Sequence, residues 1–464
     1  MERFIDRENE LQTLNREYTR AGSSFVVLYG RRRVGKTALV SEFIKDKPAL
    51  FFLASEESES QNRIAFQQKV ADFTGNVLLK NAAVSDWEIL FRSIDPQSFP
   101  QKPVIVIDEF QYLGKSNPAF PSILQRIWDQ YLSTQPVMLI LCGSLISMME
   151  SQTLSYQSPL YGRRTAQLRL KQIPFAYYHE FFPGKSLHQL VELYSVTGGV
   201  PKYIELFSAD ADLYQSIAHS VLDRSSFLYE EPYFLLRQEV EEIGSYFSII
   251  RAIAAGNTKL SAIAAVLGMK ATGLSKYLKS LIDLDILERE VPVTEENPER
   301  SKKGLYKIKD HFLRFWFLFI YPNRSYIESG HPEIVLQEIR KSLTDRQTAF
   351  VYEDICREAM WQFSAQDLWP FHFSKVGRYW DKTQEIDVVA LDPQGNNIVF
   401  GECKYWKNPV GINIFKQLEE KANQVPWRQE ERKNWFILFS INGFTDELKA
   451  LAKQRTDLLL RSGL

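Results

Sequence analysis

The stretch Phe25-Val26-Val27-Leu28-Tyr29-Gly30-Arg31-Arg32-Arg33-Val34-Gly35-Lys36-Thr37-Ala38 decides the fold. Its first five residues form an uninterrupted apolar run, as in a strand buried on both faces, and residues 30–37 complete the pattern G-x-x-x-x-G-K-[ST]. Glycines at 30 and 35 let the backbone curl so that successive N–H groups point inward at phosphate oxygens, and a helix starting near Lys36 adds its positive dipole end. The loop is therefore expected to hold a nucleoside triphosphate. Lys36 would reach the β- and γ-phosphates, Thr37 would bind Mg²⁺, and Arg31, Arg32, Arg33, Val34 and Ala38 would complete the cradle.

Downstream, strand-like and helical segments alternate, which predicts an α/β fold with a parallel sheet wound by helices. Residues 49–54 read as a second strand. Val104-Ile105-Val106-Ile107-Asp108-Glu109 reads as a third, its β-branched run ending in two carboxylates. Asp108 is expected to hold magnesium through water and Glu109 to orient or deprotonate the attacking water. A fourth strand, residues 137–142, runs into Gly143-Ser144 and would place the Ser144 hydroxyl where it senses the γ-phosphate. Tyr161-Gly162-Arg163-Arg164-Thr165 leads into an alternating strand, and Arg163 or Arg164 is expected to supply positive charge to the transferring phosphoryl group.

At 464 residues the chain exceeds what one core usually holds and predicts roughly two to four domains. Its composition, 45% hydrophobic and 24% charged, is that of a globular protein. A net charge of −1 leaves nucleic-acid contact to local basic patches. Cys142, Cys356 and Cys403 lack metal-ligand spacing and fit a reducing compartment. The charged first residues show no signal peptide, and residues 312–321 are apolar over about half the roughly twenty residues that a membrane span needs. That stretch is read as core, and the protein as cytoplasmic with no membrane partner.

Residues 246–255, 260–268 and 271–284 carry apolar positions at helical spacing, with Gly268 as a stop. Two strands follow, Ile286-Leu287-Glu288-Arg289 and Leu305-Tyr306-Lys307-Ile308, so a winged helix is expected. Its wing offers Arg300, Lys302, Lys303, Lys307 and Lys309, and the preceding helices Lys270, Lys276 and Lys279, as a patch for DNA phosphates. After an expected linker, a helix over 348–363 opens the last domain. Residues 385–391, a turn, and residues 397–405 then form a hairpin. Glu402 and Lys404 share one strand face and pairing brings Asp387 beside them, which predicts a Mg²⁺ site with a basic group.

Arg7-Glu8-Asn9-Glu10-Leu11 resembles the box that precedes the phosphate loop in AAA+ and STAND-type ATPases, where it packs near the adenine. Together with residues 29–37, 107–113, 160–165 and Thr197-Gly198-Gly199-Val200-Pro201-Lys202-Tyr203, it makes roughly residues 1–230 similar to the archaeal-type ATPase family. Asp387 with Glu402-Cys403-Lys404 resembles the PD-(D/E)-x-K nucleases, with Ile386 in place of the motif's proline, Glu353 as the helical acidic residue and Gln417 as an accessory polar position. Read with residues 311–317, the second half resembles the domain of unknown function that often follows such ATPases. The resemblance implies ATP and Mg²⁺ as cofactors, ATP hydrolysis, a nucleic-acid partner and metal-dependent DNA cleavage by Glu353, Asp387, Glu402 and Lys404, with self-association left open. It leaves the alternative of a STAND-like regulator whose nuclease-like domain is not catalytic. The expected layout is an ATPase domain with helical lid over 1–235, a winged helix over 236–320, a linker over 321–345 and a restriction-endonuclease-like α/β domain over 346–464.

Overall fold

The computed structural model describes residues 4–366 and 368–463. Four apolar runs and one alternating segment in the first half become the parallel strands β1 (Ser24–Tyr29), β2 (Ala49–Leu53), β3 (Val104–Asp108), β4 (Met138–Gly143) and, from the alternating segment, β5 (Ala166–Arg169). β1, β3 and β4 are buried at every residue, so apolar side chains occupy both faces instead of alternating with polar ones. The order is β2-β3-β4-β1-β5, which inserts β4 between the strand that feeds the glycine loop and the strand that ends in Asp108. On one face Val26, Leu28, Val104, Val106 and Ile140 pack onto Leu14 and onto Leu39, Val40 and Phe43 of the helix Lys36–Ile44. Aromatic rings fill the other side, with Phe25 on Trp128 at 5.0 Å and Phe52 on Phe66 at 5.2 Å between ring centres.

Helices Ile243–Ala254, Leu260–Leu267 and Ala271–Asp283 are followed by the antiparallel pair β6 (Leu287–Glu290) and β7 (Leu305–Ile308). Gly268, at φ +63°, ends the middle helix in the left-handed conformation that favours glycine. Apart from half-buried Arg314, residues 312–320 are buried, as their apolar side chains require.

The expected linker is not one. Residues 324–328 and the helix Pro332–Leu343 are helical, and Val335, Ile339 and Leu343 recur at i, i+4 and i+8 on one buried face. This helix runs on through Thr344–Thr348 into Ala349–Ala365.

The chain divides into two compact units. The first extends to Ile173 and takes in Val200–Lys202 and Leu235–Glu241, and the second holds the rest. The expected boundary at 235 therefore differs from the structure, because Pro174–Gly199 and Tyr203–Phe234 pack with the later chain. Trp316 Nε1 donates to the Tyr229 carbonyl at 2.9 Å. Buried Gln347 donates through Nε2 to the carbonyls of Ser195 at 2.6 Å and His311 at 3.0 Å, and accepts from Arg314.

The C-terminal sheet comprises β8 (Lys375–Trp380), β9 (Glu385–Asp392), β10 (Asn397–Lys404), β11 (Lys433–Ser440) and β12 (Leu458–Arg461), ordered β12-β11-β10-β9-β8. β8, β9 and β10 are antiparallel neighbours, whereas β11 and β12 join in parallel. Helix Ile412–Gln424 covers one face through Ile414, Phe415 and Leu418 against Phe400 and Phe436. On the other face Phe363 of helix Ala349–Ala365 stacks on Phe439 at 6.2 Å.

Gln347→Leu should cost about 3 kcal/mol in chemical unfolding, because it strands two buried carbonyls and a guanidinium. Burial pushes the His311 pKa down to about 4, against an ordinary value of 6.5, with the Asp354 charge opposing. His311 thus folds neutral, and its contribution is complete above about pH 6.5 and drains as pH falls toward 4, by up to about 3 kcal/mol. The thermal midpoint should therefore fall further between pH 7 and pH 5 in the parent than in His311→Gln.

Candidate functional site

β1 ends at Tyr29 and the chain turns at Gly30, where φ is +154° and a Cβ would run into the Leu170 carbonyl. Gly35, at φ +95°, precedes the helix Lys36–Ile44 in the left-handed region. Thr37 and Ala38 lie exposed on the first turn of that helix, where backbone N–H groups have no partner within the helix. Lys36 is buried and donates through Nζ to the carbonyls of Gly30 at 2.8 Å and Arg31 at 3.0 Å. Burial lowers its pKa, with Glu109 and Asp108 opposing.

Thr37 Oγ1 donates to Asp108 Oδ2 at 2.9 Å, and burial raises the Asp108 pKa. Glu109 adopts φ +53°, rare for a residue with a side chain. Its Oε2 accepts from Ser144 Oγ at 2.7 Å and from Gln111 Nε2. Ser144 reaches this point because β4 pairs with both β1 and β3. The structure thus brings Lys36, Thr37, Asp108, Glu109 and Ser144 together at one end of the sheet. This set fits a magnesium nucleoside triphosphate: glycines where a Cβ would clash or strain, an open helix start, and a hydroxyl–carboxylate pair suited to a hard cation.

Three contributors escaped the sequence reading. Arg7, 4% exposed, donates through Nη2 to the carbonyls of Val34 at 3.1 Å and Lys171 at 2.7 Å, clamping the back of the phosphate loop. The Arg-Glu box was expected near the adenine, and nothing in its spacing announces this clamp. Gln111 is wholly buried beside Glu109, although its place two residues past the carboxylate was a usable signal. Glu239, in a segment that returns to the first unit, accepts from the Ile146 N–H at 3.3 Å and from Ser147 Oγ at 3.1 Å, just beyond Ser144. Within the loop itself Arg32 donates to Tyr112 Oη at 2.8 Å, and Arg33 sits at φ +69°.

The expectation for Arg163 and Arg164 requires correction. Both precede β5, whose Ala166 pairs with Val26 near the start of β1, so they belong to the strand end opposite the phosphate loop. Arg163 forks onto Asp129, at 2.9 Å and 2.8 Å, and donates to the Pro159 carbonyl. The Arg164 guanidinium lies 5.5 Å from the centre of the Tyr161 ring.

In the second unit the β9–β10 hairpin gathers the other predicted residues. Asp387 Oδ2 accepts from the Cys403 N–H at 3.0 Å and lies 3.7 Å from Lys404 Nζ. Lys404 donates to Glu402 Oε2 at 2.6 Å. Lys421, from helix Ile412–Gln424 and absent from the sequence reading, donates to Glu402 Oε1 at 2.5 Å. Burial, then the Glu402 charge, pushes the Asp387 pKa up to about 6. Glu353, on helix Ala349–Ala365, is pushed up to about 8 by burial and then by Asp387, with Arg357 opposing at 3.7 Å. Both Glu402 oxygens thus carry an ammonium, and among the described residues no three His, Cys, Asp or Glu side chains are spaced to hold a metal ion. The expected metal pair, Asp387 and Glu402, must shed a lysine before a cation enters.

The expected wing patch is smaller than its lysine count. Lys303 pairs with Glu295 at 2.6 Å, Lys309 with Asp285 at 2.5 Å, and Lys307 with Asp354. Arg300 and Lys302 remain exposed. Among the described residues no helix is long and apolar enough to cross a membrane.

Residues 4–207 match the model of an ATPase domain predominantly from Archaea, and residues 316–424 that of archaeal and bacterial proteins of unknown function, DUF234. An uncharacterised protein of Methanocaldococcus jannaschii is 38% identical over 91% of this chain and 92% of its own. Among solved structures, a Walker-type ATPase of Pyrococcus abyssi superposes with a TM-score of 0.53 at 19% identity, covering 68% of this chain and 96% of that one, which speaks for the fold alone. The Aeropyrum pernix ORC2 protein gives 0.43 at 14% identity over 74% of this chain and 98% of its own. With the phosphate loop, the β3 carboxylates and this full-length relative in agreement, the chain belongs to the archaeal-type ATPase family and carries that family's C-terminal domain of unknown function.

Proposed function

We propose that the protein hydrolyses ATP through the site at the ends of β1, β3 and β4, and uses nucleotide turnover to govern a nucleic-acid-directed activity of its C-terminal domain. The observation that carries the reading is the joining of Thr37 to Asp108 and of Glu109 to Ser144 at the mouth of a glycine loop. Bound Mg²⁺ would be held by Thr37 and Asp108 and would polarise the terminal phosphoryl group. Lys36, now resting on two loop carbonyls, exchanges them for phosphate oxygens. Glu109 is anchored by one oxygen, Oε2, which leaves Oε1 to take the proton of the attacking water. Ser144, on that same Oε2, ties the position of the base to the tip of β4.

For the C-terminal cluster the favoured reading is Mg²⁺-dependent phosphodiester cleavage, supported by Asp387, Glu402 and Lys404 lying within one hairpin. Asp387 and Glu402 would hold the cation, with Glu353 beside them and Lys404 countering charge near the nucleophile. The second reading, a regulatory ATPase with a non-cleaving domain, is favoured by the two ammonium groups on Glu402. Such a site is balanced without a cation.

Lys36→Ala should lower ATP turnover on the order of a hundredfold or more without unfolding the protein. Normal turnover by a folded variant would refute the assignment. Glu109→Gln should keep nucleotide affinity while hydrolysis falls roughly 10²- to 10⁴-fold, separating binding from proton transfer. With Mg²⁺ or Mn²⁺, the parent should nick plasmid or single-stranded DNA, and Asp387→Ala and Lys404→Ala should not. Equal nicking by all three, or none by the parent, would leave the regulatory reading.

A further inference from the structure

Within the second unit, a cleft of about 890 Å³ lies where the β6–β7 wing and the start of helix Ala271–Asp283 meet the turn between β8 and β9. Its walls are tied together. The Val293 N–H donates to the Arg378 carbonyl at 2.9 Å, Trp380 Nε1 to the Lys303 carbonyl at 3.3 Å, and Arg378 pairs with Glu290 at 3.4 Å. Arg289 holds the wing's own turn, donating to the carbonyls of Pro298 at 2.9 Å and Ser301 at 2.5 Å. The cleft is thus preformed rather than assembled by a ligand.

Its chemistry has two parts. Leu260, Tyr306 and Trp380 give an apolar and aromatic floor, and Lys259, Lys302 and Lys382 stand exposed at the rim. Lys303 also lines the cleft but is held by Glu295. The acidic lining residue, Asp381, is turned onto its own hairpin, where it accepts from the Thr383 N–H at 2.7 Å and from Tyr379 Oη at 3.0 Å. Three cations around an apolar floor match phosphates spaced along a backbone with a base face between them, the pattern of single-strand sites. A volume of this size takes a ligand of a few nucleotides and not a duplex.

We propose that this cleft binds a single strand of nucleic acid, with phosphates on Lys259, Lys302 and Lys382 and a base on the Tyr306 and Trp380 floor. The proposal deepens the nucleic-acid reading above and rests on it. It differs from docking of helix Ala271–Asp283 into a groove, because the β8–β9 turn supplies one wall and one cation.

The test is fluorescence anisotropy of a labelled oligothymidylate with the full chain, ADP and Mg²⁺ being present throughout to fill the phosphate loop. Lys302→Ala/Lys382→Ala should weaken binding roughly tenfold or more and shrink the salt slope by about two, a greater loss than Lys276→Ala/Lys279→Ala on the helix produces. Equal binding by the parent and both variants, or a greater loss in the helix variant, overturns the cleft while the nucleic-acid reading stands. Displacement of the strand by an equal nucleotide concentration of thymidine monophosphate also overturns it, as the occupant is then a free nucleotide. A parent that binds no strand overturns the cleft, and one that binds no plasmid DNA either overturns the reading beneath it.

Discussion

Parallel strands buried on both faces can place polar groups only where they end, and that constraint assembles the nucleotide site. After Ser24 opens β1, residues 25–28, 104–107 and 138–142 are all apolar, and each strand then releases the chain at the same end of the sheet. The loop at Gly30, the carboxylates at 108 and 109 and the hydroxyl at 144 converge there because β4 lies between the other two strands. The site is thus a by-product of sheet order as much as of motif. A different order would leave the same residues in sequence and separate them in space.

The two candidate sites solve the problem of buried charge differently. At the phosphate loop Lys36 donates to two carbonyls of its own loop rather than to a carboxylate, and Asp108 takes its hydrogen bond from the Thr37 hydroxyl. In the C-terminal cluster, three carboxylates from β9, β10 and a helix face Lys404, Lys421 and Arg357. Burial there pushes Glu353 and Asp387 toward the protonated form, and Glu402 is kept ionised by two lysines. Removing either lysine leaves an under-compensated buried charge, which is costly whatever the site does.

How far the fold could be read followed the physics of each signal. Runs such as residues 25–29 and 104–107 announced themselves because full burial demands unbroken apolarity. The Glu402 and Lys404 pair was legible because side chains alternate along a strand. Sheet order and long-range partners were not, since no local pattern records that Lys421 meets Glu402 or that Arg7 clasps Val34. Residues 321–345 were expected to be a linker, yet Val335, Ile339 and Leu343 spell a helix face. Arg163 and Arg164 were placed by their motif, and only the start of β5 shows that they belong to the far edge.

Leu235–Glu241 belongs to the first unit although some sixty residues of the second precede it. Leu236 is wholly buried, and Glu239 caps the turn beyond Ser144. The catalytic half is therefore not a detachable cassette at the front of the gene. Trimming the chain at any point between 174 and 241 would remove a piece of the first unit along with the sequence that follows it.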